Sequence, residues 1–169
     1  QNPGRQIAVA AGVPVEVPSY TVNKLCGSGL KAVTLGALEI MAGGADIVAA
    51  GGTENMTMAP YAVPSARSGA RLGHTQMMDL VIHDALWDAF NDYHMGMTAE
   101  NLATAWGITR EEQDAFALSS QEKTAAAQAA GRFRDEIVPV EIPQRKGPPV
   151  VVDTDEHPRP DTTMEALGK

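Results

Sequence analysis

Val22-Asn23-Lys24-Leu25-Cys26-Gly27-Ser28-Gly29-Leu30-Lys31-Ala32-Val33 holds the one cysteine of this 169-residue chain. Upstream, residues 15–22 are rich in Val, Tyr and Thr and read as a short strand. Downstream, Leu30, Val33, Ala37, Leu38 and Met41 recur at helical spacing. Cys26 then falls on a strand-to-helix turn, and Gly27 and Gly29 allow the tight backbone that such a turn needs. The N–H groups and positive dipole end of the helix favour an anion there, which is how a nucleophilic thiolate is made. A lone cysteine is also commonly a small buried residue at a packing point. The chemistry of the residues leaves both readings open.

Working outward, Asn2-Pro3-Gly4 supplies an N-cap and a proline at the first helical position, so a short helix is expected over residues 5–11, closed by Gly12. After the cysteine helix, ended near Met41 by Gly43 and Gly44, Asp46-Ile47-Val48-Ala49-Ala50 is nearly all apolar and predicts a strand buried on both faces. Strand, helix and strand with short joints predict a right-handed crossover in a parallel sheet, and hence an α/β fold. Cys26 would sit at the carboxyl edge of its strand, where ligands of open α/β sheets gather.

Residues 53–78 lose all period and form a long loop, made basic by Arg67, Arg71 and His74; loops of this length are functional or interfacial. A helix is expected over 79–90, a second from Thr98 to Gly107, and a third from the capping box Thr109-Arg110-Glu111-Glu112 to Gly131. The third would be about 30 Å long, with alanines suited to close packing on another helix. Residues 135–142 return to strand character, interrupted by Pro139 and Pro143. A turn over 144–149, a short strand at 150–152, a loop to Pro160 and a final helix opening at Thr162 complete the chain.

Thirteen basic residues against twenty-one acidic ones give a net charge of −8, which argues against nucleic acid or an anionic membrane as the main partner. A hydrophobic fraction of 44% is that of a soluble globular protein. One cysteine permits no internal disulfide, which suits a reducing compartment, and a cytoplasmic location is expected. No apolar run approaches a membrane span of about 20 residues. The four histidines, His74, His83, His94 and His157, make no metal-ligand spacing. The chain opens on Gln1 and is expected to be a piece of a longer protein.

The segment from Asn23 to Val33 resembles the nucleophile segment of the thiolases, enzymes that join or split acyl groups on coenzyme A. Gly51-Gly52-Thr53-Glu54-Asn55-Met56-Thr57, His94-Met95-Gly96-Met97-Thr98-Ala99-Glu100-Asn101 and Asp155-Glu156-His157-Pro158-Arg159 with Thr162-Thr163-Met164-Glu165-Ala166-Leu167 resemble further thiolase segments in family order. The resemblance implies a thiolase-like α/β fold: part of the αβα-layered N-terminal domain over residues 1–56, and an inserted helical loop domain over 57–169 with a returning strand near 135–142. The C-terminal domain would be absent.

It also implies that Cys26 accepts the acyl group, with its backbone N–H as one oxyanion donor. His94 and Met95 would line the pocket beside the acyl group and pantetheine arm, Leu86 would lie near the pantetheine, and Arg159 near the nucleotide. Read from the residues alone, Met95 and Leu86 are equally core fillers and Arg159 a solvated loop charge. The His94-Met95 pair is similar to the short-chain thiolases. The expected reaction is condensation of two acetyl-CoA to acetoacetyl-CoA, or its reverse, with coenzyme A thioesters as substrates and no cofactor or metal. The family's activating histidine and second cysteine belong to C-terminal motifs not found here, so the chain alone is expected to be inactive. The alternatives are a degradative 3-ketoacyl-CoA thiolase and a non-catalytic coenzyme A-binding or assembly module. Family members assemble as dimers or tetramers.

Overall fold

The computed structural model describes all residues, 1–169, which divide into two compact units, Gln1–Met95 and Gly96–Lys169. In the first unit, helix α1 (Pro3–Ala10) is capped by Asn2, whose side chain accepts the Arg5 N–H. Helix α2 (Ser28–Met41) closes on Gly43, at φ 74, with the Gly44 N–H donating to the Glu39 carbonyl at 3.0 Å. Both agree with the capping signals in the sequence.

The parallel crossover expected around α2 does not form, and the reason lies in the carbonyls of residues 15–22. Arg5 donates through Nη2 to Val15 O and through Nη1 to Val17 O, each at 2.7 Å, and Asn2 Nδ2 donates to Ser19 O at 3.5 Å. Alternate carbonyls along one edge are thus taken by the side chains of Arg5 and Asn2, and are not open to a ladder partner on that edge. Pro14 and Pro18 remove further donors, and Val17 N–H turns back to Pro14 O at 3.0 Å.

Residues 46–50 are irregular rather than a strand, and they are not buried on both faces: Ile47 is 89% exposed. They run beside α2 through glycine contacts. A Cβ on Gly36 would lie 2.9 Å from Val48 Cγ1, and one on Gly52 would lie 3.2 Å from Gly29 Cα. Gly36 is the one buried residue of α2.

The paired strands of the chain are all antiparallel and local. Strands β1 (Tyr61–Ala62) and β2 (Met78–Asp79) pair Tyr61 with Asp79, whose Oδ2 accepts the Tyr61 hydroxyl at 3.2 Å. That hydrogen bond and the adjacent charge raise the Tyr61 pKa. The helix expected over 79–90 shrinks to a wide turn, Ile82–Leu86, followed by β3 (Trp87–Asp88), which pairs with β4 (Tyr93–His94).

In the second unit, α3 (Met95–Trp106) begins three residues before the expected Thr98 and ends at Gly107, φ 66. Helix α4 (Arg110–Ala129) has the expected capping box, Thr109 and Glu112 each accepting the other's backbone N–H. Its alanines do not meet a long helix; the 155–167 segment, which includes α5 (Met164–Leu167), lies along it. Strand character in 135–142 is confined to β5 (Val140–Ile142), which forms a hairpin with β6 (Val150–Val152) around the expected turn. Asp114 is the buried polar residue, paired with Arg110 Nε at 2.8 Å.

Replacing Gly36 by leucine should destabilise the first unit by about 1–3 kcal/mol, the usual cost of overpacking. Adding Val48→Ala should recover part of that loss. Thermal unfolding of the parent and the two variants checks this, and an unchanged midpoint for Gly36→Leu would mean that α2 and residues 48–52 are not in contact.

Candidate active site

Cys26 lies one residue outside the first turn of α2, on a backbone loop fixed by its neighbours. Leu25 has φ 48, the left-handed region, which costs a non-glycine residue about 1–2 kcal/mol. Five hydrogen bonds hold it there. Asn23 Oδ1 accepts the Leu25 N–H at 2.9 Å, Ser28 Oγ accepts the Lys24 N–H at 2.7 Å, and the Ser28 hydroxyl donates to Leu25 O at 2.6 Å. Gly27 N–H donates to Lys24 O at 3.1 Å and Ser28 N–H to Leu25 O at 3.0 Å.

The N–H groups of Gly27 and Ser28, expected to be open at the helix start, are therefore engaged in the turn. That of Cys26 is not among the groups the turn uses. The cysteine is a free, exposed thiol, so the reading of it as a buried packing residue does not hold. A strained residue, Leu25, therefore stands immediately before an exposed cysteine at a helix start. Asn23 and Ser28 were not singled out by sequence reasoning as parts of the site. The signal was present: Asn bonding the N–H two residues on and Ser at the helix entry are turn-forming patterns.

Three further candidates are gathered by the β3–β4 hairpin. Trp87 pairs with His94, so Leu86 and Met95, which flank that pair, stand at the same end of the ladder. The hairpin is closed by acid and amide side chains. Asp88 Oδ1 accepts the N–H groups of Phe90 at 2.8 Å and Asn91 at 3.1 Å, and its Oδ2 accepts Asn91 Nδ2 at 2.7 Å. Asp92, at φ 59, accepts Trp87 Nε1–H at 3.0 Å. The Asn91 side chain, then the two backbone donors, hold the Asp88 carboxyl below its ordinary pKa.

Cys26 shares the first unit with Leu86, His94 and Met95 but stands on its own turn; Arg159 belongs to the second unit. Its N–H donates to Gln121 Oε1 at 2.8 Å and its carbonyl accepts the Thr162 hydroxyl at 2.7 Å. Its guanidinium makes no ion pair. No group of three or more His, Cys, Asp or Glu is placed to hold a metal, and no helix is long and apolar enough to cross a membrane.

The first unit thus holds an exposed cysteine on a strained helix-entry turn and, separately, a hairpin that ends in His94 where α3 begins at Met95. The whole of the chain, residues 1–169, matches the family described as thiolase, N-terminal domain. The chain belongs to the thiolase family. It is 62% identical over 169 residues to an acetyl-CoA acetyltransferase of Pseudomonas aeruginosa, and 58% identical over 168 residues to one of Cupriavidus necator. A Staphylococcus aureus protein named "Probable acetyl-CoA acyltransferase" is 53% identical over 169 residues. These matches cover 99–100% of this chain and 43% of each relative.

Ser28→Ala removes both hydroxyl bonds of the turn and should cost about 1–2 kcal/mol. It should also change the rate at which iodoacetamide alkylates Cys26; an unaltered rate and stability would separate the hydroxyl from the turn. The hairpin should respond to acid. Because the folded Asp88 pKa is depressed, the stabilisation is present above the ordinary value of about 3.9 and is lost as pH falls through the lower folded value. The Phe90 and Asn91 amide resonances should therefore titrate with a midpoint under 3.9, and Asp88→Asn should abolish that titration. A midpoint at or above the ordinary value would contradict the hydrogen-bond arrangement.

Proposed function

We propose that the protein is an acetyl-CoA C-acetyltransferase that condenses two acetyl-CoA to acetoacetyl-CoA and coenzyme A, or runs the reverse thiolysis. The observation that carries this reading is the exposed Cys26 on its strained turn at the start of α2. In the condensing direction the Cys26 thiolate attacks the acetyl carbonyl, the coenzyme A thiolate leaves, and an acetyl thioester remains on Sγ. A second acetyl-CoA, after losing an α proton, attacks that carbonyl; the new carbon–carbon bond forms and the Cys26 thiolate departs. The Cys26 N–H, which the turn does not use, supports a role as an oxyanion donor. The proton transfers are left to groups that the family resemblance puts in the C-terminal half.

His94, Met95 and Leu86, on one hairpin end, are read as the wall beside the acyl group and pantetheine, and Arg159 as a cation beside the nucleotide. Residues 57–169 are read as the inserted loop domain, and the assembled enzyme as a homo-oligomer with no cofactor beyond its coenzyme A substrates. The acetyl-specific reading is favoured over a longer-chain 3-ketoacyl thiolase because relatives named acetyl-CoA acetyltransferase match at 55–62% identity, above the 52–53% of those named acyltransferase.

In the full-length protein, Cys26→Ala should abolish acyl transfer, a loss of about 10⁴-fold or more, while leaving the melting temperature within a few degrees. Mass spectrometry after incubation with acetyl-CoA should show an acetyl adduct on the parent and none on the variant. Near-normal turnover without Cys26 would refute the mechanism.

A further inference from the structure

Helix α4 presents three polar side chains to the backbone of the 155–167 segment. Arg110 Nη2 donates to Leu167 O at 2.6 Å, Gln121 Oε1 accepts the Arg159 N–H at 2.8 Å, and Gln128 Nε2 donates to Asp155 O at 3.3 Å. Gln121 and Gln128 stand eleven and eighteen residues after Arg110. At about 100° per residue these offsets bring all three side chains onto one stripe of the helix. Their partners fall in reverse order, 167, 159 and 155, so the segment is tied antiparallel to α4. The helix rises about 16 Å between the first two contacts and about 10 Å between the last two. Eight and four residues of chain readily reach across those intervals.

The middle contact differs from the other two. Arg110 also pairs with Asp114, which raises its pKa and keeps it charged, and Asp155 also turns back through Oδ1 to the His157 N–H at 3.0 Å. At Arg159 both sides of the residue are held. Gln121 takes its N–H, while the Thr162 N–H and hydroxyl donate to its carbonyl at 3.2 and 2.7 Å. The backbone that sets the direction of the Arg159 Cα–Cβ bond is therefore fixed at both ends. Its guanidinium meanwhile makes no hydrogen bond or ion pair.

We propose that Gln121 is a positioning residue for coenzyme A: by fixing the Arg159 backbone it aims the guanidinium at the phosphate and adenine portion of the substrate. This rests on the reading of Arg159 as the nucleotide-side cation. A pre-aimed arginine loses less side-chain and backbone freedom on binding, so Gln121 contributes to affinity and not to the chemical step.

The test is steady-state kinetics of full-length Gln121→Leu, Gln121→Glu, Arg159→Ala and the Gln121→Leu/Arg159→Ala double variant. Two substrates are compared: acetyl-CoA, and S-acetyl-N-acetylcysteamine, which lacks both phosphates and adenine. Gln121→Leu should raise KM for acetyl-CoA about 3- to 10-fold with kcat nearly unchanged, and leave the truncated thioester unaffected. Gln121→Glu keeps an acceptor oxygen and should stay near the parent. The double variant should match Arg159→Ala alone. If Gln121→Leu does not fold, Gln121→Asn, too short to reach the Arg159 N–H, is read in its place. The proposal is overturned if Arg159→Ala raises KM while the Gln121 variants do not, if the two effects add, or if the truncated thioester is affected equally. No effect of Arg159→Ala on acetyl-CoA KM would instead overturn the reading of Arg159 itself, and the role of Gln121 with it.

Discussion

Leu25, held at φ 48 between Asn23 and Ser28, is the constraint on which the candidate site depends. A left-handed leucine persists only where its surroundings over-determine it, and here three side-chain hydrogen bonds and two backbone turns do so within six residues. The chain reverses sharply enough to leave Cys26 at the outside of the bend while α2 begins two residues later. A glycine at position 25 would relax the bend and give back the freedom that the turn removes. The turn at Cys26 is therefore assembled from short-range contacts, so it does not require a finished sheet behind it.

That independence explains what was legible in the sequence and what was not. Caps and helix ends are local decisions, and Asn2, Gly43, Gly107 and Thr109 act where the sequence places them, while the last helix is capped by Thr163, one residue after the expected Thr162. Strands are settled by partners. Residues 15–22 have the composition of a strand, yet Arg5 and Asn2 reach their alternate carbonyls first, and no periodicity argument could have foreseen a competitor ten to seventeen residues upstream. Residues 46–50 have the apolar run of a central strand but meet α2 at Gly36, through Val48 and Ala50, rather than a neighbouring edge. The 79–90 helix is cut short for a related reason. Asp88 bonds the N–H groups of Phe90 and Asn91, and so offers the backbone a turn in place of another helical one.

At the site the same division holds. Cys26, His94 and Met95 could be named from family motifs, and the pairing of Trp87 with His94 puts Leu86, eight residues before His94, at the same end of the hairpin as His94 and Met95. Motif resemblance names residues that touch substrate; it is silent about residues that hold those residues still. Asn23, Ser28 and Asp88 hold backbone in place, and each reveals itself only through bonds to backbone groups two to four positions away.

Gln121 extends that kind of support to long range. Within the second unit α4 is opened by its own capping box, and its polar stripe then ties down a segment with little regular structure beyond α5. Loops tied only at their ends sample many conformers, and each must be given up when a ligand binds. Tying Asp155, Arg159 and Leu167 at intervals removes most of that freedom in advance, and the guanidinium at the centre of the tied stretch is the group left untied. A short turn fixes the thiol of Cys26 and a helix face fixes the backbone of Arg159. In both cases the backbone is held by amide and hydroxyl side chains while the reactive or charged tip stays exposed, which is the arrangement expected where a ligand has to supply the last contacts itself.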